Sequence, residues 1–218
     1  MDLNIGNYRI KGMGLEIDRD ELVEQLLLGE RSFYELKLKK NCDITRHPRF
    51  KEVLDALENP EFKHPPLDIS HSIMVGINLT GISAQDTGAL KCDLTSANLS
   101  KTDLSGSDFS SAKLQKANLS GAVFKAAEFE NADLRDVNLV NANLHEANLT
   151  SANLQGADMK GCDVRGADFC NVNLKGVKNL ALCKNLEFAL FDKTKVSEKE
   201  KQIIEQAQAK REQFALNL

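Results

Sequence analysis

Ala142-Asn143-Leu144-His145-Glu146-Ala147-Asn148-Leu149 repeats a small residue, an amide and a large apolar residue at an interval of five. The pattern extends both ways from this stretch. Every fifth residue from Leu94 through Phe109, Phe124, Leu144 and Met159 to Leu174 is apolar, 17 positions of 17. The residue two before each is compact, Ala in 11 of the 17 cases, and the residue between is Asp or Asn in 14. Upstream the phase continues through Ile69, Met74 and Leu79 and lapses to Ala84 and Ala89. The array therefore covers residues 67–178 without an insertion.

A period of five matches neither the helical 3.6 nor the strand 2.0, so the backbone must turn at a fixed interval. The small and large residues are two apart and point to one side of a short extended segment, while the Asp or Asn between them faces outward. The next two residues make a corner. Its second residue is Gly or Asn in nine of 17 corners, from Gly106 to Gly176, as suits the φ > 0 position of a type II turn. Short sides joined by regular corners predict a solenoid whose coils stack at a strand spacing of about 4.8 Å.

The repeated Ala-[Asp/Asn]-Leu-x-x resembles the pentapeptide repeat proteins. That resemblance implies an all-β solenoid, a right-handed quadrilateral β-helix with four pentapeptides per coil. On it, 22 pentads would make about five and a half coils, roughly 26 Å tall at the strand spacing.

Solenoid ends expose strand edges and need covering. Residues 1–66 are expected to form an N-terminal capping region. Within it, Tyr8, Ile10, Leu15 and Ile17 alternate as a short strand or hairpin would, with Gly12 and Gly14 against it. A helix near 20–28 is predicted with Asp20 as its cap and Gly29 ending it. A second helix, near 48–58, starts at Pro48 and is closed by Asn59-Pro60, with Phe50, Val53, Leu54 and Leu57 on one face. Phe33 and Leu38 look like an isolated start of the five-residue period, and Gly29-Glu30-Arg31-Ser32-Phe33 is similar to a run that precedes the first coil in several members of the family. Residues 179–196 lose register and resemble the irregular last coil of the family. Ser197-Glu198-Lys199-Glu200 is a capping box opening a helix within 197–218, to about 213. Its apolar stripe is thin (Ile203, Ile204, Ala207 and Phe214), and it is expected to dock on its own chain or join two copies, giving a monomer or a dimer.

Composition narrows the function. The chain has 28 basic and 32 acidic residues, a net of −4, which weighs against direct nucleic-acid or membrane binding. No apolar run reaches the ~18–20 residues of a membrane span, and the first thirty residues carry no apolar stretch behind a basic start. A cytoplasmic protein is expected. Five cysteines without C-x-x-C spacing argue for free thiols. Cys92 and Cys162 fall at inward small positions on opposite sides, and Cys170 faces outward.

No catalytic, cofactor-binding or metal-binding constellation emerges. Asp158, Asp163 and Asp168 fall on three successive sides of the coil. His145-Glu146 lacks a second His four residues on, and the sequons at Asn78, Asn98, Asn118 and Asn148 are by-products of the pentad. The expectation is a non-enzymatic protein-protein interaction module. A DNA-mimicking inhibitor or protector of type II topoisomerase, known in the family, is the alternative, and a secreted effector a further one. Twenty-residue stacking, implied by the resemblance, lines up Lys125, His145 and Arg165 as a candidate partner-binding ladder, with Asp108, Glu128, Glu130 and Asp168 on another side.

Overall fold

The computed structural model describes residues 3–5, 8–10, 16–28, 30–33, 35–39, 42–58 and 66–216. From Asp68 onward the backbone forms parallel bridges with the residue twenty positions on: Asp68 with Gly88, Ile73 with Asp93, Asn78 with Asn98, Ser83 with Asp103, and so through the array. Four bridge columns result. Side A runs through Asp68, Asp108 and Asp168, side B through Asp93 and Asp133, side C through Asn98 and Asn138, and side D through Asp103 and Asp163. Each coil rises about one strand spacing, ~4.8 Å, on the one before.

One pentad shows why the pattern holds. Ala97 N–H closes the corner on Leu94 O at 2.9 Å, Asn98 N–H reaches Ile77 O of the preceding coil at 2.8 Å, and Leu99 and Lys101 N–H reach Asn118 O and Ser120 O of the following coil at 2.8 and 3.0 Å. The fifth donor, Ser100 N–H, goes to the Asn98 side chain, Oδ1, at 3.2 Å. All five backbone donors are thereby satisfied, as a buried or half-buried backbone requires. The Asp or Asn at the middle position is thus part of the backbone: it forms an Asx turn that no other side chain forms as well.

The corner conformation is universal. Every fifth residue from His71 to Gly176 has φ between 54° and 76°, including Lys101, Ala126 and Glu146. Together with the bond that closes every corner but the one at Thr87, whose N–H donates to Ser107 Oγ instead, this is the third position of a type II turn. The cost of about 1 kcal/mol for an L-residue there is offset by the ladder bonds on both flanks, so Gly and Asn are favoured but not needed.

Inside, the large residues meet. Phe109 and Phe129 stack one coil apart on side A with centroids 5.2 Å apart at 10°, and Phe124 of side D meets both edge-on at 5.8 and 5.2 Å. Ala112, Ala122, Ala127 and Ala142, all fully or nearly fully buried, leave the volume these rings occupy.

At the N-terminal end β1 (Leu3–Ile5) and β2 (Tyr8–Ile10) form an antiparallel hairpin, and β3 (Glu16–Ile17) pairs in parallel with β4 (Lys37–Leu38). Leu15, Gly12 and Gly14 lie outside the described residues, as do Gly29 and Asn59-Pro60. Helix α1 (Arg19–Leu27) is capped two residues earlier than the sequence suggested: Asp18, not Asp20, accepts Glu21 N–H at 3.1 Å, and Asp20 lies inside the helix. Helix α2 (Phe50–Glu58) follows Pro48. Ser32, Lys37 and Asp43 bridge to Asp68, Ile73 and Asn78, so three sides of a coil already exist inside the segment assigned to a cap, and the stretch carrying α2 is inserted before the fourth. Arg31 ties this end together. Its guanidinium, in a residue 5% exposed, donates to Leu26 O at 2.9 Å, Glu30 O at 3.0 Å and Ala56 O at 3.3 Å. It thereby serves carbonyls near the C-terminal ends of both helices, where such groups are otherwise orphaned. Glu30 accepts the N–H groups of Arg31 and Ser32, which delivers Phe33 into the core.

At the other end the register slips. Asp163 pairs with Lys184, Asp168 with Leu190 and Asn173 with Lys195, because two 310 turns, Leu180–Leu182 and Leu186–Phe188, add residues to the last coil. Helix α3 (Glu198–Leu216) opens with the capping box, Ser197 N–H donating to Glu200 Oε2 at 2.7 Å. It docks against both 310 turns of its own chain and buries Glu200, Ile204 and Ala207. From Gln208 on, its described side chains are exposed; the side chain of Phe214 is not among them. Among the described residues no helix is long and apolar enough to cross a membrane.

Candidate functional site

The outward columns are chemically distinct. On side C, Asn98, Asn118 and Asn138 form an amide ladder, Asn118 Nδ2 donating to Asn98 Oδ1 and Asn138 Nδ2 to Asn118 Oδ1, both at 3.1 Å. The same oxygens hold Ser100, Ser120 and Val140 N–H. Sequon-like Asn98 and Asn118 are therefore structural, as is Asn148, whose Nδ2 donates to Glu128 Oε2 at 2.7 Å.

Side A gathers carboxylates: Asp68, Asp108, Glu128, Asp168, and Glu130 two positions beyond Glu128. Cys170 lies in this environment. Hydrogen bonding to the neighbouring Asp168 carboxylate, with partial burial, pushes its thiol above the usual range, which disfavours a thiolate nucleophile. Burial pushes the Cys92 thiol up to about 12 and the Cys162 thiol well above its ordinary value, as fits their inward positions on sides B and D.

Lys125, His145 and Arg165 each follow the large residue of side D, whose bridges join Val123 to Asn143 and Asn143 to Asp163. The three therefore stand one above another on successive coils. Backbone bonds fix the column: Ala126 N–H reaches His145 O at 2.8 Å and Glu146 N–H reaches Arg165 O at 2.9 Å. Lys125 and Arg165 are exposed. His145 is half-buried, its Nδ1 3.8 Å from Glu146 Oε2. Arg165 lies over the ring of Phe188 at 5.5 Å, a cation–π contact that the sequence did not signal because the slipped register brings Phe188 there. Among the described residues neither Lys125 nor Arg165 is ion-paired.

Asp158, Asp163 and Asp168 project from sides C, D and A, apart from one another as their spacing indicated. A polar recess that sequence reasoning missed is lined by Asp18, Arg19, Asp20, Lys39, Cys42, Asp43 and Arg46. Its charges are internally matched: Arg19 to Asp20 at 2.8 Å, Arg46 to Asp43 at 3.1 Å and Lys39 to Asp18 at 3.5 Å. Burial raises the Cys42 thiol to about 11. No group of three or more potential metal ligands occurs among the described residues.

Residues 91–125, 127–166 and 147–178 match the family model for pentapeptide repeats, in 8 copies. The array is a pentapeptide-repeat domain. Solved structures similar to it include HetL, a pentapeptide repeat protein involved in heterocyst differentiation regulation from the cyanobacterium Nostoc sp. strain PCC 7120. The identity is 18%, with 82% of this chain and 94% of that one covered and a TM-score of 0.44. Full-length QnrB1, a plasmid-mediated fluoroquinolone resistance protein, is similar at 14% identity, covering 89% of this chain and 94% of that one, with a TM-score of 0.28. A pentapeptide repeat protein of the Arabidopsis thaliana thylakoid lumen is 30% identical over 42% of this chain and 59% of its own, with a TM-score of 0.20. No curated protein matches the chain.

Proposed function

We propose that the pentapeptide-repeat domain, as a right-handed quadrilateral β-helix, is a non-enzymatic module that binds another protein along the edge carrying Lys125, His145 and Arg165. The observation that supports this most is that two exposed cations share one rigid column with a titratable imidazole, and neither cation is ion-paired within the described part of the molecule. A backbone hydrogen-bonded to the coils above and below holds these groups at fixed spacing without further ordering cost, which favours association. Charges so arranged contribute chiefly to association rate and partner choice. The partner surface is acidic.

The test is capture of partners from source lysate by the native chain and by the Lys125→Glu, Arg165→Glu double variant, with fold checked by circular dichroism. The proposal expects selective loss of one or more bound proteins in the variant, mirrored by added salt. Undiminished capture by the folded variant refutes it. The second reading, a duplex-DNA mimic acting on type II topoisomerase, is favoured only by the carboxylates of side A. Between residues 68 and 178 there are 13 acidic and 10 basic residues, sparse beside a duplex with one charge per ~1.7 Å. Potent inhibition in a gyrase supercoiling assay would reverse the ranking.

A further inference from the structure

The slipped register of the last coil has a chemical consequence. Because Asp163 bridges to Lys184, the residues just before them, Cys162 and Cys183, stand side by side on consecutive coils of side D. Counting by twenties would have set Cys162 beside Leu182 instead. The pairing is held by Lys184 N–H to Cys162 O at 2.8 Å and Val164 N–H to Lys184 O at 3.1 Å. Adjacent parallel strands put such Cα atoms roughly 4.8 Å apart, within the range of about 4.4 to 6.8 Å that a disulfide spans. Both thiols are free. Cys162 is fully buried, whereas Cys183 is half-buried, its Sγ 3.3 Å from Met159 O.

We propose that Cys162 and Cys183 are an oxidative modification site, at which a peroxide converts the two thiols into a disulfide joining the last regular coil to the irregular one. The difference in exposure orders the steps. The Cys183 sulfur, as thiolate, attacks one peroxide oxygen, and the O–O bond breaks. This leaves a sulfenic acid on Cys183 and releases hydroxide, which takes up a proton to become water. The Cys162 thiol, losing its proton, then attacks the Cys183 sulfur. The S–S bond forms, the S–O bond breaks, and the hydroxyl leaves as a second water. Two thiols are oxidised by two electrons in all, and one peroxide is reduced to two waters. Burial raises both thiols, that of Cys183 to about 12, so the reaction is slow at neutral pH and faster in mild alkali.

Two of the other cysteines, Cys92 and Cys170, serve as internal controls. On the coils to either side, Cys92 faces Ser72 and Ala112, and Cys170 faces Thr150 and Asp192. Neither has a thiol to close on.

The experiment treats the native 218-residue chain with hydrogen peroxide at pH 8.5 and follows intact mass, non-reducing peptide mapping and Tm. The expected result is a loss of two hydrogens, a peptide linking Cys162 to Cys183, and a Tm raised by several degrees that dithiothreitol reverses. Cys183→Ser should abolish both the link and the rise. The proposal is overturned if Cys170 becomes oxidised, showing that oxidant was sufficient, while Cys162 and Cys183 stay reduced. It is also overturned if Cys183 proceeds to sulfinic acid without a link. Both readouts come from the native chain, so a variant that folds poorly does not weaken the test.

Discussion

Replacing Val123 by Asn should stabilise the protein. Val123 is the half-buried middle residue of a side D pentad and offers no oxygen to Lys125 N–H, the donor that in neighbouring pentads is held by an Asp or Asn side chain, as His145 N–H is by Asn143 Oδ1 at 2.9 Å. An amide there would supply this acceptor, worth about 1 kcal/mol. In the ladder of side C the Asn118 and Asn138 Nδ2 groups reach down one coil at 3.1 Å, so Asn143 Nδ2 would gain a partner too, about 0.5 kcal/mol more at a half-exposed site. Against this stands the loss of a β-branched residue from an extended segment, up to ~1 kcal/mol. The net gain is about 0.5–1.5 kcal/mol, or roughly 1–6 °C in Tm for a chain of this size. The converse change, Asn118→Ala, removes the acceptor of Ser120 N–H at 3.2 Å, the acceptor of Asn138 Nδ2 and the donor to Asn98, and should cost about 2 kcal/mol. Urea unfolding followed by circular dichroism measures both. A Val123→Asn protein less stable than the native chain, together with an Asn118→Ala protein within about 0.5 kcal/mol of it, would show that the middle residue does not support the corner.

Leu in place of Ala142, 1% exposed, should cost about 1–3 kcal/mol by overpacking. At the exposed corner Asn141, with φ of 58°, it should cost only the left-handed penalty of ~1 kcal/mol; equal costs in chemical denaturation would refute the inward and outward assignment. Gly156→Val combines a β-branched residue at φ of 75° with a Cβ driven against Asp136 Oδ1, and should lose about 2 kcal/mol or more, whereas exposed Gln155→Val should stay within ~0.5 kcal/mol. Asp158 accepts Asn179 Nδ2 at 2.7 Å, which, aided by Lys160 N–H, holds its carboxyl below the usual range despite some desolvation. A depressed folded-state pKa gives stability that is complete above the unfolded value, about 4, and is lost as pH falls through the folded value. Asp158→Asn should therefore flatten the decline of the urea midpoint between pH 4 and 2.5; an unchanged pH profile would contradict this.

The solenoid was legible because its signal is local and repeated: Leu94 to Leu174 mark the interior and the corners fall between them. What the period could not convey was why Asp or Asn occupies the middle position. That became clear only when Ser100 N–H was followed to Asn98. Boundaries failed for the ordinary reason that neighbouring acids compete to cap a helix, and Asp18 outcompetes Asp20. The early coil was legible in part, since Phe33 and Leu38 mark two of its sides, but the pairing of Ser32, Lys37 and Asp43 was hidden because their partners lie 35 or 36 residues away across an insertion, a separation that no local pattern encodes. The same holds for Phe188 on Arg165 and for Cys183 beside Cys162, which depend on the residues added in the last coil. The ladder of Lys125, His145 and Arg165 could be read because it lies wholly where the twenty-residue register is unbroken.

That register acts as a ruler for change in length. Five residues gained or lost within the array would leave every corner and every inward residue in place, since each pentad is a valid substitute for the next. The outward columns would not survive so well. Everything beyond the change would rotate by one side, setting the acids of side A over a neighbouring column and splitting the basic edge in two. Only a change of twenty residues returns each column to itself, adding or removing about 4.8 Å of height while leaving the rest of the surface as it was. A lineage of such proteins can therefore lengthen freely in whole coils, while smaller steps preserve the fold and scramble what it presents.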